Sequence, residues 1–127
     1  DIFVNVVGGM KIDEPAADLA IAAAVASSMR DLPVRADTVL IGEIGLAGEL
    51  RMPGQMPSRL REASKLGFKT AIVPKRLRKN EPWPMEIEIL EARSVQQALE
   101  AAFAPSREPA KSKAGLAQNT AGKELND

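Results

Sequence analysis

Between Ala16 and Ala26 the chain carries Ala17, Leu19, Ala20, Ile21, Ala22, Ala23, Ala24 and Val25, with Asp18 as the lone charge. A helix of this composition is apolar nearly all round and built from small side chains. It therefore has to be packed on more than one side, at close backbone distance. Upstream, Ile2 to Val7 is a valine-rich strand signal that ends at Gly8-Gly9, and Met10 to Ile12 continues extended. Asp13 is the expected N-cap, and Pro15 suits the first helical turn, where its missing N–H costs nothing. The helix should run to about Met29, with Asp31-Leu32-Pro33 breaking it. A strand-to-helix site of this kind often mounts a nucleophile, because the helix N-terminus steadies developing negative charge. Here the second helical residue is Ala16, and a methyl group cannot attack.

Further along, Thr38 to Ile41 reads as a strand. Gly42, Gly45 and Gly48 punctuate a tight sheet segment that resumes at Glu49 to Met52. After a turn at Pro53-Gly54, a second helix is expected over Pro57 to Leu66. Met56, Leu60, Ala63 and Ser64 keep helical spacing there, and Gly67 is its stop. Thr70 to Val73 is a short buried strand closed by Pro74, and Lys75 to Pro84 is a polar loop carrying Trp83. Glu86 to Leu90 alternates as a strand with one wet face. Ser94 then caps a last helix whose stripe is Val95, Ala98, Leu99 and Ala102. Residues 104–127 are poor in apolar side chains and read as a disordered tail behind a single domain, 1–103. The chain opens inside a strand signal, which predicts a piece of a longer protein.

Several chemistries are closed to these residues. Without cysteine there are no disulfides, zinc–thiolate sites or thiol nucleophiles; without histidine the usual base of a hydrolytic triad is gone. The aromatics are Phe3, Phe68, Phe103 and Trp83, too few for a base-stacking platform. No run reaches the length of a membrane span and no secretory signal opens the chain, so a cytoplasmic location is expected.

The net charge of +0 hides an asymmetry. Residues 1–50 carry an excess of −5, and residues 80–103 one of −4. Between them, residues 51–79 hold nine basic side chains against Glu62 alone, an excess of +8. A basic block between acidic flanks predicts one positive face, suited to the phosphate backbone of a nucleic acid or to an acidic face of a neighbouring subunit. Lys75, Arg76, Arg78 and Lys79 are the first candidates for phosphate contact, followed by Arg59, Arg61 and Lys65.

Residues 1–20, Ile41 to Arg51 and Arg59 to Phe68 together resemble the Lon protease-like C-terminal domain of the bacterial RadA (Sms) DNA repair family. The resemblance covers residues 1 to about 103. It implies an α/β (α+β) domain of the Lon peptidase-like fold, a mixed sheet packed with about three helices. Matched to active Lon peptidases, Ala16 stands where the nucleophilic serine would be and Pro57 where its lysine base would be. The resemblance thus implies that both halves of the catalytic dyad are absent, so no catalytic residue is expected. It also implies a role in ring assembly, as a homo-hexamer, and in binding single-stranded or branched DNA without sequence specificity, for an ATPase that drives branch migration. ATP, Mg and zinc sites would belong to an N-terminal part, since neither a phosphate-binding loop nor paired cysteines occur here.

Two other readings compete. One is a ring scaffold that never touches DNA; the other is a peptidase with a displaced dyad. Ser27 and Ser28 read better as small polar residues near a helix end than as nucleophiles. Ser58 and Lys65 share a helix face but stand two turns apart, about 10 Å, too far for direct proton transfer. Glu43 and Glu49 flank the glycine segment and read as solvated turn and edge-strand residues.

Overall fold

The structure is a computed structural model that describes residues 14–78 and 81–105. A 3-10 turn, Pro15–Ala17, leads into helix α1 (Asp18–Arg30). Strands β1 (Thr38–Leu40), β2 (Glu43–Ile44) and β3 (Leu50–Arg51) precede α2 (Met56–Lys65), and β4 (Thr70–Pro74), β5 (Glu88–Ala92) and α3 (Val95–Phe103) complete the order. Three α-helices among the described residues match the expected number. Among the described residues the strands of the expected mixed sheet fall into two sheets. A parallel sheet has the order β1-β4-β5, while β2 and β3 form a separate antiparallel pair. The strand expected over 2–7, the Gly8-Gly9 turn, the Asp13 cap, Lys79 and residues 106–127 of the tail lie outside the described residues.

Alternation along the parallel strands builds two cores. Val39, Ile41, Ala71 and Val73 point to one face, where Met56, Leu60 and Ala63 of α2 cover them together with Trp83 and Ile87. Leu40, Ile72 and Ala92 point to the other, against Ala98 and Ala102 of α3. The period of two in a strand makes one short apolar run serve both faces. Helix α1 reaches both clusters: Ala20 belongs to the first, Leu19 and Ala23 to the second. The expectation of packing on more than one side therefore holds for its first half. It fails for the second, where Val25 and Met29 are 53% and 82% exposed.

Two local expectations shift, the cap of the first helix and the start of the last strand. The first helix opens with Glu14 at the N-cap, and no side chain closes that cap. Pro15 supplies the fixed φ that starts the turn. At its far end Asp31 takes the left-handed conformation, φ 55°, and donates its N–H to the Ser27 and Ser28 carbonyls. The last strand begins at Glu88 rather than Glu86, because Ile87 is drawn into the first core and pairing starts at Thr70 opposite Glu88. Gly67 ends α2 as expected with φ +100°, a conformation that costs glycine least. Ser94 caps α3, its hydroxyl accepting the Gln97 N–H at 3.1 Å.

Candidate functional site

The two positions matched to a peptidase dyad lie on neighbouring elements. Ala16 is buried in the 3-10 turn, in the same apolar cluster as Met56, the residue before Pro57. The backbone locks this junction: the Gly42 N–H donates to the Ala16 carbonyl at 3.0 Å, and the Leu19 N–H to the Gly42 carbonyl at 3.0 Å. Gly42 packs against Pro74 and Leu19, and a Cβ there would stand 3.2 Å from the Pro74 ring. Asp18 accepts the Ile44 N–H at 3.1 Å, tying α1 to the β2–β3 hairpin.

An ion pair spans the opening of the two helical segments. Arg59 Nη1 lies 2.6 Å from Glu14 Oε1, and its Nε donates to the Gly54 carbonyl at 2.9 Å. The chain separation of 45 residues hides this pair from any local reading. Arg59, a candidate for phosphate contact, is thus half-buried and already holds a carboxylate. Ala16 brings only a methyl group and Pro57 only a ring, so this junction presents neither a nucleophile nor a base at those two positions.

Among the other nucleophile and acid–base candidates, Ser27, Ser58 and Glu49 have local partners. Ser27 donates to the Leu32 carbonyl and helps end α1. Ser58 accepts from Arg61 Nη2 at 3.3 Å, while Lys65 is exposed at the far end of α2. The Glu49 carboxylate folds over Gly45, accepts the Ala47 N–H at 3.2 Å and pairs with Arg51 at 3.0 Å. Its own backbone N–H, then Arg51, hold it below the usual carboxylate range. Glu43 stands opposite Arg51 in the β2–β3 ladder.

The basic block separates into two places. Arg61 and Lys65 are exposed on α2, whose C-terminal end leads into the start of β4. Lys75 and Arg78 are exposed beyond the opposite end of that strand, and Lys69 is exposed just before it. Arg76, between Lys75 and Arg78, is committed elsewhere. Its Nη2 lies 3.0 Å from Glu91 Oε2, its backbone N–H reaches Glu91 Oε1 at 2.8 Å, and Nη1 donates to the Glu81 carbonyl at 2.9 Å. The guanidinium also covers the Trp83 ring, 4.1 Å from its centroid. Burial pushes the Glu91 carboxyl up, but the Arg76 N–H and guanidinium outweigh that and hold it below the usual carboxylate range. Sequence spacing could not show that Arg76 is an anchor, because Glu91 arrives from the neighbouring strand. Arg93, exposed just past β5, joins Lys75 around one hollow and escaped notice because it lies in an acidic stretch.

The chain is 42% identical over 103 residues to DNA repair protein RadA of Listeria monocytogenes, a match covering 81% of this chain and 22% of that protein. It is 46% identical over 100 residues to DNA repair protein RadA of Halalkalibacterium halodurans, covering 79% and 22%. With DNA repair protein RadA of Escherichia coli the figure is 54% over 74 residues, covering 58% and 16%. The chain thus spans about a fifth of the length of the curated relatives it matches. A family profile described as subunit ChlI of Mg-chelatase matches residues 1–77, more than half of the chain. By that match the chain belongs to the family described as subunit ChlI of Mg-chelatase.

Proposed function

We propose that the chain is a non-catalytic DNA-binding and oligomerisation domain of a RadA-type DNA repair and recombination ATPase, with the Lon peptidase-like fold. The observation that carries this reading is the set of exposed cations at the end of β4, Lys75 and Arg78, held on a loop that Arg76 anchors. The name of the relatives, DNA repair protein RadA, supports DNA over other polyanions as the partner of these cations. Phosphate contacts of this kind neutralise charge and release counterions, so they bind without reading sequence and weaken as salt rises. Single-stranded or branched DNA is the substrate in this reading, and branch migration is the work of the whole ring. ATP, Mg and zinc belong to other parts of the longer protein, and the site of action is cytoplasmic. Among the described residues no helix is long and apolar enough to cross a membrane.

Fluorescence anisotropy with a fluorescein-labelled oligonucleotide tests the DNA reading. The slope of log affinity against log salt should be steep, and Lys75→Glu with Arg78→Glu should reduce it by about two while weakening binding about tenfold or more. An unchanged slope in that variant would remove these residues from the interface. The non-catalytic part has its own test. A serine-reactive phosphonate should leave the chain unlabelled and unfolded casein should stay intact; an adduct on Ser27, Ser28 or Ser58 would restore the peptidase reading.

The scaffold reading rests on a different surface. Val25, Met29 and Leu32 lie exposed along the second half of α1 and the turn after it. An apolar stripe of this kind suits contact between subunits. Both activities can therefore sit on one domain, assembly on α1 and DNA contact at the end of β4.

A further inference from the structure

Leu77 is 97% exposed, although the residue before it is among the most firmly held on the surface. Arg76 is fixed by the Glu91 carboxylate, the Glu81 carbonyl and the Trp83 ring. The leucine is therefore presented by an anchored backbone, not left over on a loose one. It stands between two hollows and lines both. One, about 490 Å³, is also lined by Met52, Arg78 and Pro82, with Glu81 as its acidic member. The other, about 420 Å³, is also lined by Leu50, Lys75, Ala92 and Arg93. An apolar ridge between two partly apolar hollows, with Lys75, Arg78 and Arg93 exposed around them, is amphiphilic in a definite way. It offers cations for a repeating anion and an aliphatic surface for a flat apolar group beside it.

We infer that Leu77 is a base-contacting wedge. The inference rests on the nucleic-acid reading above and adds the group that touches bases. Lys75 and Arg78 hold successive phosphates, and Leu77 inserts between two neighbouring bases of a single-stranded or forked DNA. The displaced bases lean into the hollows on either side. Aliphatic side chains serve as such wedges when the energy of unstacking is returned by added contact. Aromatic stacking is the usual means on single strands, but among the described residues no aromatic side chain lines either hollow. Trp83 is buried beneath Arg76, while Phe68 and Phe103 are half-buried in the two cores. The charge around the ridge favours a polyanion: Glu91 is consumed by Arg76, and among the described residues Glu81 is the one acidic side chain lining either hollow, against Lys75, Arg78 and Arg93.

The test uses the 127-residue chain and a forked DNA carrying 2-aminopurine at the fork, whose fluorescence rises when the base is unstacked. Wild type should raise the signal at saturation. Leu77→Ala should abolish the rise and weaken binding about tenfold, as loss of a buried leucine side chain would, with the salt slope still set by the cations. Leu77→Met should restore the rise. Trp83 emission and the melting temperature report that each variant is folded. Binding by wild type with no rise overturns the wedge and leaves the phosphate-contact reading standing. An equal rise with Leu77→Ala overturns it too, and no binding at all overturns both. If a leucine-containing acidic peptide binds the wild type but not Leu77→Ala, and the DNA signal is the same for both, the ridge belongs to a protein partner instead.

Discussion

Replacing Leu60 by alanine is expected to lower the folding free energy by about 3–4 kcal/mol. Leu60 is fully buried on α2, where it is the large aliphatic side chain that meets the sheet between Met56 and Ala63. The cluster it belongs to includes Ala16, Ala20, Ala63 and Ala71. Alanines have no side chain to swing into a void, so the cavity stays open and the loss does not fall to the low end of the usual range. Urea denaturation followed through Trp83, the sole tryptophan, reads the change as a shift in midpoint at nearly constant slope. Leu66→Ala is the control. That leucine is exposed just past the end of α2, and its loss should change stability by less than about 0.5 kcal/mol. Similar losses for the two variants would show that α2 is not seated on the sheet as described.

Arg76→Ala should cost about 2–3 kcal/mol, far more than Lys75→Ala beside it. The variant removes a charge-assisted pair and a cation–π contact at once, and it leaves the Glu91 carboxylate without its main partner. Both partners are 23% exposed, which keeps the loss below that of a fully buried pair. The same contact predicts a pH dependence. Glu91 titrates lower in the folded chain than in the unfolded one, so its contribution is fully present above the unfolded glutamate value of about 4.3. It is lost as the pH falls through the depressed folded value. Wild type should therefore lose stability more steeply than Arg76→Ala below about pH 4. Superimposable acid limbs for the two proteins would show that the pair contributes nothing in solution. DNA affinity should also fall in Arg76→Ala, because the loop that presents Lys75 and Arg78 loses its anchor.

Much of the fold is legible in local pattern. The helix expected over 57–66, observed one residue earlier as Met56–Lys65, follows from the spacing of Met56, Leu60 and Ala63, and its end at Gly67 follows from the need for a positive φ. Ser94 announces α3 because a hydroxyl at that position satisfies an orphan N–H. These features depend on residues within a turn or two of each other. The start of β5 does not: strand pairing with β4 chose Glu88 over Glu86, and no local signal carries register. The exposure of Val25 and Met29 is equally non-local, since burial depends on which elements reach the second half of α1. The candidate site divides in the same manner. Absence of a nucleophile at Ala16 is a matter of residue type and can be read directly. The roles of Arg59 and Arg76 depend on Glu14 and Glu91, carboxylates that are distant in the chain.

The sequence by itself determined which chemistries are closed to this domain, where its helices lie and that residues 51–79 carry the positive charge. Those properties belong to side-chain composition and to interactions between near neighbours. Tertiary structure decided which cations are spent and which remain. Folding β5 beside β4 sets Glu91 against Arg76, and docking α2 by the 3-10 turn sets Glu14 against Arg59. Lys75, Arg78, Arg61 and Lys65 are left to solvent. A charge finds its partner by distance in space, and the parallel crossover and the docking of α2 bring together carboxylates and guanidinium groups that the chain keeps apart.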